Sequence, residues 1–362
     1  MTRIPFRPSL WDPVISPTLK ILYSQLFLTL PEPNSDFSGQ TCIVTGANAG
    51  LAFEVAQHMV RLNATRVILA VRSVDRGEAA RKKLEEATGR TGIVEVWPLD
   101  LSSFDSVKEF GSLAARKLDR LDCLVENAGI IATSYEAAED YEATLTVNVL
   151  GTFLLAGSML PLLKKTATQY NIQPRLTIVV SELHAFANFP ERSNPEILAS
   201  LNANTSSSDM ARRYPISKLM ALQLTQELAI RANRVDSQPT VIINSVNPGF
   251  CKSGLGRSKY LLSQTVRFFL DLLFARTTEM GSRAILFGAT ATQETNGKYL
   301  SDCRIEEWVL PSTIKSNLLL TISRPSAFVR SEEGREVQLK LWDEVVGILD
   351  RICAGIARNF SD

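Results

Sequence analysis

The chain predicts an α/β fold: a single doubly wound parallel sheet with helices on both faces. Three observations carry this. A short apolar run, Thr41-Cys42-Ile43-Val44, enters a glycine-bearing turn and then a helix-like stretch over Phe53–Val60. Further short apolar runs alternate with longer amphipathic stretches along the chain, as βαβ crossovers require. The runs are continuously apolar, as strands buried on both faces are. No repeat or low-complexity block breaks the pattern. One catalytic-size domain over residues 40–305 is expected, with an N-terminal extension, 1–39, and a C-terminal helical extension, 306–362.

In chain order, Leu19, Ile21, Leu22, Leu26, Phe27 and Leu30 form an apolar stripe at helical spacing. It is too short and interrupted to span a bilayer. Docking on the main domain is favoured over lying on a membrane surface. A polar, Pro-rich connection over 31–39 leads into the first strand. Further strands are expected at Arg66–Val71, Gly92–Pro98, Leu121–Glu126, Arg175–Ser181, Thr240–Val246 and Lys298–Leu300. Helices are expected at Asp75–Thr88, Ser103–Lys117, Tyr141–Lys165, Tyr214–Asn233, Thr278–Thr292 and Glu333–Arg358. The last packs on the domain or on the partner of a homodimer. Residues 260–274 are strongly apolar; core packing, a lid over a greasy ligand, or a membrane-facing surface all fit them.

Of 362 residues, 45% are hydrophobic, enough for a sizeable core, and 39 basic against 38 acidic side chains give a net charge of +1. That balance gives no footprint for nucleic acid. No secretory signal is evident near Met1. The five cysteines are widely spread and read as thiols of a reducing, cytoplasmic compartment. With only His58 and His184, a zinc site or a Ser-His-Asp triad has little to be built from, and no metal is expected.

The turn reads Thr45-Gly46-Ala47-Asn48-Ala49-Gly50-Leu51-Ala52. Glycine lets the backbone turn tightly and approach a pyrophosphate, and the helix behind it offers free N–H groups. Strand before and helix after make this a dinucleotide-binding turn. The second strand ends Val71-Arg72-Ser73. An arginine there accommodates the 2′-phosphate of NADP, where a carboxylate would favour NAD. Asp75 lies slightly beyond, Ser73 offers a hydroxyl and Arg76 a second cation. The blander alternative pairs Arg72 with Asp75. NADP is the cofactor expected. Far downstream, Tyr214 and Lys218 sit four apart, on one helix face. An ammonium beside a phenol favours the phenolate and lowers its pKa.

Together, Thr45-Gly46-x-x-x-Gly50, Asp100-Leu101, Asn127-Ala128-Gly129, Asn148, Ser181, Tyr214/Lys218 and Pro248-Gly249 resemble the short-chain dehydrogenase/reductase family. The similarity covers 40 to about 305, a Rossmann-type fold, and leans towards the retinol dehydrogenases and the fungal reductases of secondary metabolism. The resemblance implies that Asn48, Ala49, Gly50 and Leu51 line the cofactor and that Asp100 meets the adenine amine, with Leu101 packed nearby. It implies that Asn127, Ala128 and Gly129 line the cofactor, that Pro248 and Gly249 wrap the nicotinamide, and that Ser253 contacts it. Ser181 would hold the substrate oxygen, Tyr214 exchange its proton, Lys218 bind the ribose, and Asn148 relay protons through water.

Two residues depart from the family pattern: Ala52 for its third glycine, and Glu126 for the first Asn of Asn-Asn-Ala-Gly. Glu126 would stay exposed at its strand end or alter the local electrostatics. The segment Phe186–Arg212 is expected as a surface excursion walling the pocket, and His184 as structural or solvent-facing. The function expected is NADP(H)-dependent interconversion of a hydroxyl with a ketone or aldehyde on a lipophilic molecule, as a tailoring step of secondary metabolism. The alternative is a catalytically weak dinucleotide-binding scaffold.

Overall fold

A computed structural model describes residues 24–233, 241–252, 275–305 and 325–361. The expected lid over 260–274, Ser253 and half of the N-terminal stripe (Leu19, Ile21 and Leu22) lie outside them.

Strands β1 (Thr41–Thr45), β2 (Arg66–Val71), β3 (Val94–Pro98) and β4 (Cys123–Glu126) are followed by a small hairpin, β5 (Ala137–Ala138) and β6 (Tyr141–Glu142). Then come β7 (Arg175–Val179), β8 (Ile242–Asn247), β9 (Tyr299–Ser301) and β10 (Arg304–Ile305). The main sheet runs β10-β9-β8-β7-β4-β1-β2-β3. Among the described residues it is parallel except for the β9–β10 hairpin. Winding reverses between β1 and β4, so the crevice beyond their C-terminal ends is the switch point where such sheets bind ligands.

Side chains alternate between two cores, as the period of two in a strand dictates. Ile43, Ile68, Leu124, Leu176 and Ile243 face one. Cys42, Val44, Leu69, Val125 and Val246 face the other. The first core is closed by α3 (Phe104–Lys117), α4 (Ala143–Tyr170), α6 (Ser207–Arg231) and α8 (Glu332–Ile352). The second is closed by α1 (Gly50–Arg61), α2 (Val74–Thr88) and α7 (Thr278–Thr290). Helix α4 is long and apolar enough to cross a membrane, but its most apolar stretch is 89% buried, which is core packing.

Three elements differ from expectation. Helix α6 begins at Ser207, not Tyr214, because Ser206 and Asp209 form a reciprocal capping box. Tyr214 and Pro215 therefore lie inside the helix. The excursion after Ser181, expected as a surface segment, is anchored by a helix of its own. Within it α5 (Ile197–Ala203) buries Ile197, Leu198 and Leu201, and Glu344 of α8 accepts from the Ile197 and Leu198 N–H groups at 2.8 Å each. Third, α4 carries a π turn over Thr146–Gly151. Gly151 is required there, since a Cβ would collide with the Leu101 carbonyl oxygen.

Candidate active site

At the β1–α1 turn, Gly46 and Gly50 hold φ of +72° and +66°, a left-handed backbone that glycine adopts without strain. A Cβ on Gly46 would press on Ala128 at 3.3 Å, while one on Gly50 would meet nothing within 4 Å. The turn is thus tight on its strand side and open on its outer side. Helix α1 starts at Gly50 after Ala49 with no side-chain cap and no acidic residue in its first turn. Its N-terminal amides and positive dipole end are set for an anion. Thr45 Oγ1 accepts from the Asn127 and Ala128 N–H groups at 3.0 and 2.9 Å, locking β4's end to this turn. Ala52 is fully buried; its methyl is accommodated. The residues present fit a dinucleotide.

Arg72 is exposed just past β2 and forms no ion pair with Asp75. Ser73 caps α2, accepting from the Arg76 N–H at 3.5 Å. The bland pairing of Arg72 is therefore set aside, and Arg72 stands as an exposed cation at the end of β2. Asp100 Oδ1 accepts from the Ser102 N–H and hydroxyl at 2.9 and 2.6 Å, a local turn that fixes the carboxylate. Leu101 is buried.

The catalytic candidates converge at the ends of β4 and β7. Lys218 Nζ donates to the Val179 carbonyl at 2.8 Å and lies 5.8 Å from the Tyr214 ring centroid. Ser181, two residues past β7, lies beside the Tyr214 phenol and acts to lower its pKa. Asn148, inside the π turn, accepts from the Ile130 N–H at 2.9 Å and donates to the Ile130 carbonyl at 2.9 Å and to Ser217 Oγ at 3.1 Å. Ser217 donates in turn to the Tyr214 carbonyl at 2.8 Å. A Cβ on Gly129 would meet Asn148 Oδ1 at 3.0 Å and Lys218 Nζ at 3.5 Å, so Gly129, Asn148 and Lys218 share one pocket wall. π turns of this kind recur at functional sites, and here one turns an Asn with poor helix propensity towards Lys218.

The electrostatics correct one expectation. Burial pushes the Tyr214 phenol up to about 12, and the neighbouring Ser181 hydroxyl is what acts to lower it. Burial also brings the Lys218 ammonium down to about 8. Spacing put the lysine beside the tyrosine correctly, but burial of the phenol, not the ammonium, sets the direction of its shift. A second correction concerns Glu126. It is 3% exposed, neither carboxyl oxygen has a hydrogen-bond partner, and burial raises its pKa well above 4.5. His184 is buried and structural: its Nδ1 meets the Ser181 carbonyl at 2.7 Å and its Nε2 accepts from the Ser326 N–H at 3.2 Å.

Sequence reading passed over Asn247. Its Oδ1 accepts from the N–H groups of Glu182 and Gly249 at 3.1 Å each, and its Nδ2 donates to Ser301 Oγ at 3.2 Å. It ties the residue after Ser181 to the Pro248-Gly249 turn. Its place directly before that pair was the only signal.

A family model described as short chain dehydrogenase matches residues 40–172. The chain is 40% identical over 344 residues to the short chain dehydrogenase/reductase dmxR8 of Cryptosporiopsis sp., covering 94% of this chain and 99% of that one. It is 38% identical over 343 residues to the short-chain dehydrogenase anuD of Penicillium roqueforti, covering 93% and 84%. Among solved structures it resembles the oxidoreductase yciK of E. coli (TM-score 0.54, 20% identity, 76% and 99% covered). It also resembles the Pseudomonas aeruginosa RhlG/NADP active-site complex (TM-score 0.53, 22% identity, 75% and 97% covered). At these identities the solved structures speak for the fold alone.

Proposed function

This chain belongs to the short-chain dehydrogenase/reductase family, oxidoreductases that act on a CH–OH group with NAD(P), and from that premise we propose that it reduces a lipophilic ketone or aldehyde with NADPH. The observation that carries the proposal is the convergence of Ser181, Tyr214, Lys218 and Asn148 beyond the strand ends. Gly46, Gly50 and the α1 N-terminus hold the pyrophosphate, and Arg72 the 2′-phosphate. Bound nicotinamide supplies the hydride.

The chain's own residues handle the oxygen and the proton. Ser181 donates a hydrogen bond to the substrate oxygen, stabilising the charge that develops there. Tyr214, held protonated by burial, gives its proton to that oxygen. Lys218, desolvated and anchored on Val179, is the nearest ammonium to the phenolate so formed. Asn148, fixed by Ile130 and Ser217, joins Lys218 to the relay that resupplies the proton. A lipophilic substrate is supported by exposed apolar side chains after the two key strand ends. Leu183 and Phe186 follow Ser181, and Phe250 follows Gly249. The tailoring role in secondary metabolism rests on the sequence resemblance, and the similar chains are fungal short-chain dehydrogenases.

Titration of the wild-type chain and of Arg72→Glu with NADPH and NADH, followed by nicotinamide fluorescence, tests the cofactor assignment. Wild type is expected to prefer NADPH by at least about tenfold, about 1.4 kcal/mol, and Arg72→Glu to lose that preference. Equal affinities in wild type overturn it.

A further inference from the structure

Beneath the Pro248-Gly249 turn lies a polar cluster that the catalytic reading leaves unused. Arg276 and Asp302 are buried, and Arg276 Nη1 stands 2.7 Å from Asp302 Oδ1, an ion-pair contact and not an aligned hydrogen bond. Three further hydrogen bonds come from far upstream. Ser24 Oγ donates to Asp302 Oδ2 at 2.7 Å. Arg276 Nη2 donates to the Ser24 carbonyl and hydroxyl at 2.9 Å each. A buried arginine–carboxylate pair is tolerable only when further hydrogen bonds satisfy it, and here the N-terminal segment supplies them.

The same arginine holds the turn by its backbone. Its N–H donates to the Phe250 carbonyl at 2.9 Å, and its carbonyl accepts from the Lys252 N–H at 2.9 Å. Gly249 has φ of +80°, and a Cβ there would lie 2.6 Å from Gln25 Nε2 and 3.0 Å from Arg276 Nη1. The turn is therefore packed directly on Gln25 and Arg276. Asp302 and Cys303 hold φ of +52° and +57°, left-handed values uncommon outside glycine, which aim the Asp302 carboxylate from the β9–β10 hairpin into this cluster. Downstream of Ser24 the segment stays fastened: Arg283 donates to the Leu30 carbonyl at 2.8 Å, and Leu30 and Phe37 are buried.

We propose that Ser24, Arg276 and Asp302 form a clamp that positions the Pro248-Gly249 turn against the nicotinamide half of the cofactor, so that the N-terminal segment is part of the catalytic apparatus. The clamp rests on the cofactor assignment above. None of the three touches the adenine half, which is held by the β1–α1 turn and Arg72 at the other side of the switch point. Loss of the clamp thus weakens one half of the cofactor site and spares the other.

The test uses the full chain with Ser24→Ala and Asp302→Asn, titrated with NADPH and with adenosine 2′,5′-bisphosphate, which carries the adenine and 2′-phosphate but no nicotinamide. NADPH affinity is expected to fall at least about fivefold in both variants, with loss of nicotinamide fluorescence enhancement, while the bisphosphate affinity changes less than about twofold. Unchanged NADPH binding, or an equal loss for both compounds, overturns the clamp. Asp302→Asn leaves the Arg276 charge unpaired, and if it does not fold, Ser24→Ala, which removes one hydroxyl, decides alone. Failure of wild type to bind either compound removes the cofactor assignment and the clamp with it, a pattern distinct from a variant-specific result.

Discussion

Glu126 sets up a stability experiment whose size follows from its surroundings. It closes β4, is buried, and has no hydrogen-bond partner on either carboxyl oxygen. Ionising it there would strand an uncompensated charge, so burial lifts its pKa well above the ordinary 4.5. The unfolded chain releases this proton near 4.5 and the folded chain keeps it. Between those two values the unfolded state binds fewer protons, so stability falls as pH rises, by about 1.4 kcal/mol per unit. From pH 5 upwards the wild-type chain therefore loses stability through this one group until the folded-state pKa is passed. Glu126→Gln keeps the shape and removes the titration. Urea midpoints of both proteins at pH 5, 6 and 7 read the effect. The variant is expected to match wild type near pH 5 and to exceed it progressively by pH 7. Parallel curves, or a wild type that gains on the variant as pH rises, would show that Glu126 is ionised in the folded chain and refute the argument.

Three further outcomes follow from the site. Gly129→Ala places a methyl 3.0 Å from Asn148 Oδ1 and 3.5 Å from Lys218 Nζ. Steady-state kinetics are expected to show kcat reduced by roughly tenfold. His184 is brought down to about 4 by burial, so its folded pKa lies below its unfolded value of 6.5. Its stability contribution is full above 6.5 and is lost as pH falls towards 4, and the pH profile of kcat/KM is expected to show no step near 6.5. His184→Ala orphans the Ser326 N–H and is expected to lower unfolding stability by about 1–3 kcal/mol, read by denaturant titration.

The fold was legible because its strands are continuously apolar runs. Arg66–Val71 was bounded to the residue, and β1, β3 and β4 agree within two residues at either end. Tyr214 and Lys218 were legible from spacing, and the β1–α1 turn from its glycines. The start of α6 was not, because a capping box at Ser206 competes with the disruptive look of Pro215, eight residues past Ser207. The π turn at Asn148 depends on Gly151 meeting the Leu101 carbonyl, a contact between distant segments. The direction of the Tyr214 shift depends on how deeply packing buries the phenol, which spacing does not report. Of the two readings of Glu126, exposure at the strand end or altered local electrostatics, the first fails because its parity on β4 turns it with Leu124 towards the core. The Ser24–Arg276–Asp302 cluster joins residues 252 and 278 positions apart, beyond any local pattern.

The most direct test of the account is Tyr214→Phe, assayed for NADPH-dependent reduction of a panel of lipophilic ketones and aldehydes and titrated with NADPH alongside. The phenol is the one proton donor assigned to the reacting oxygen, whereas its ring is buried and its packing survives in phenylalanine. Turnover is expected to fall by about 10²–10⁴-fold, with the NADPH affinity within about threefold of wild type. Undiminished turnover in that variant would contradict the assignment of Tyr214 as the acid, and loss of NADPH binding together with turnover would contradict the division of the site into catalytic and cofactor-holding parts.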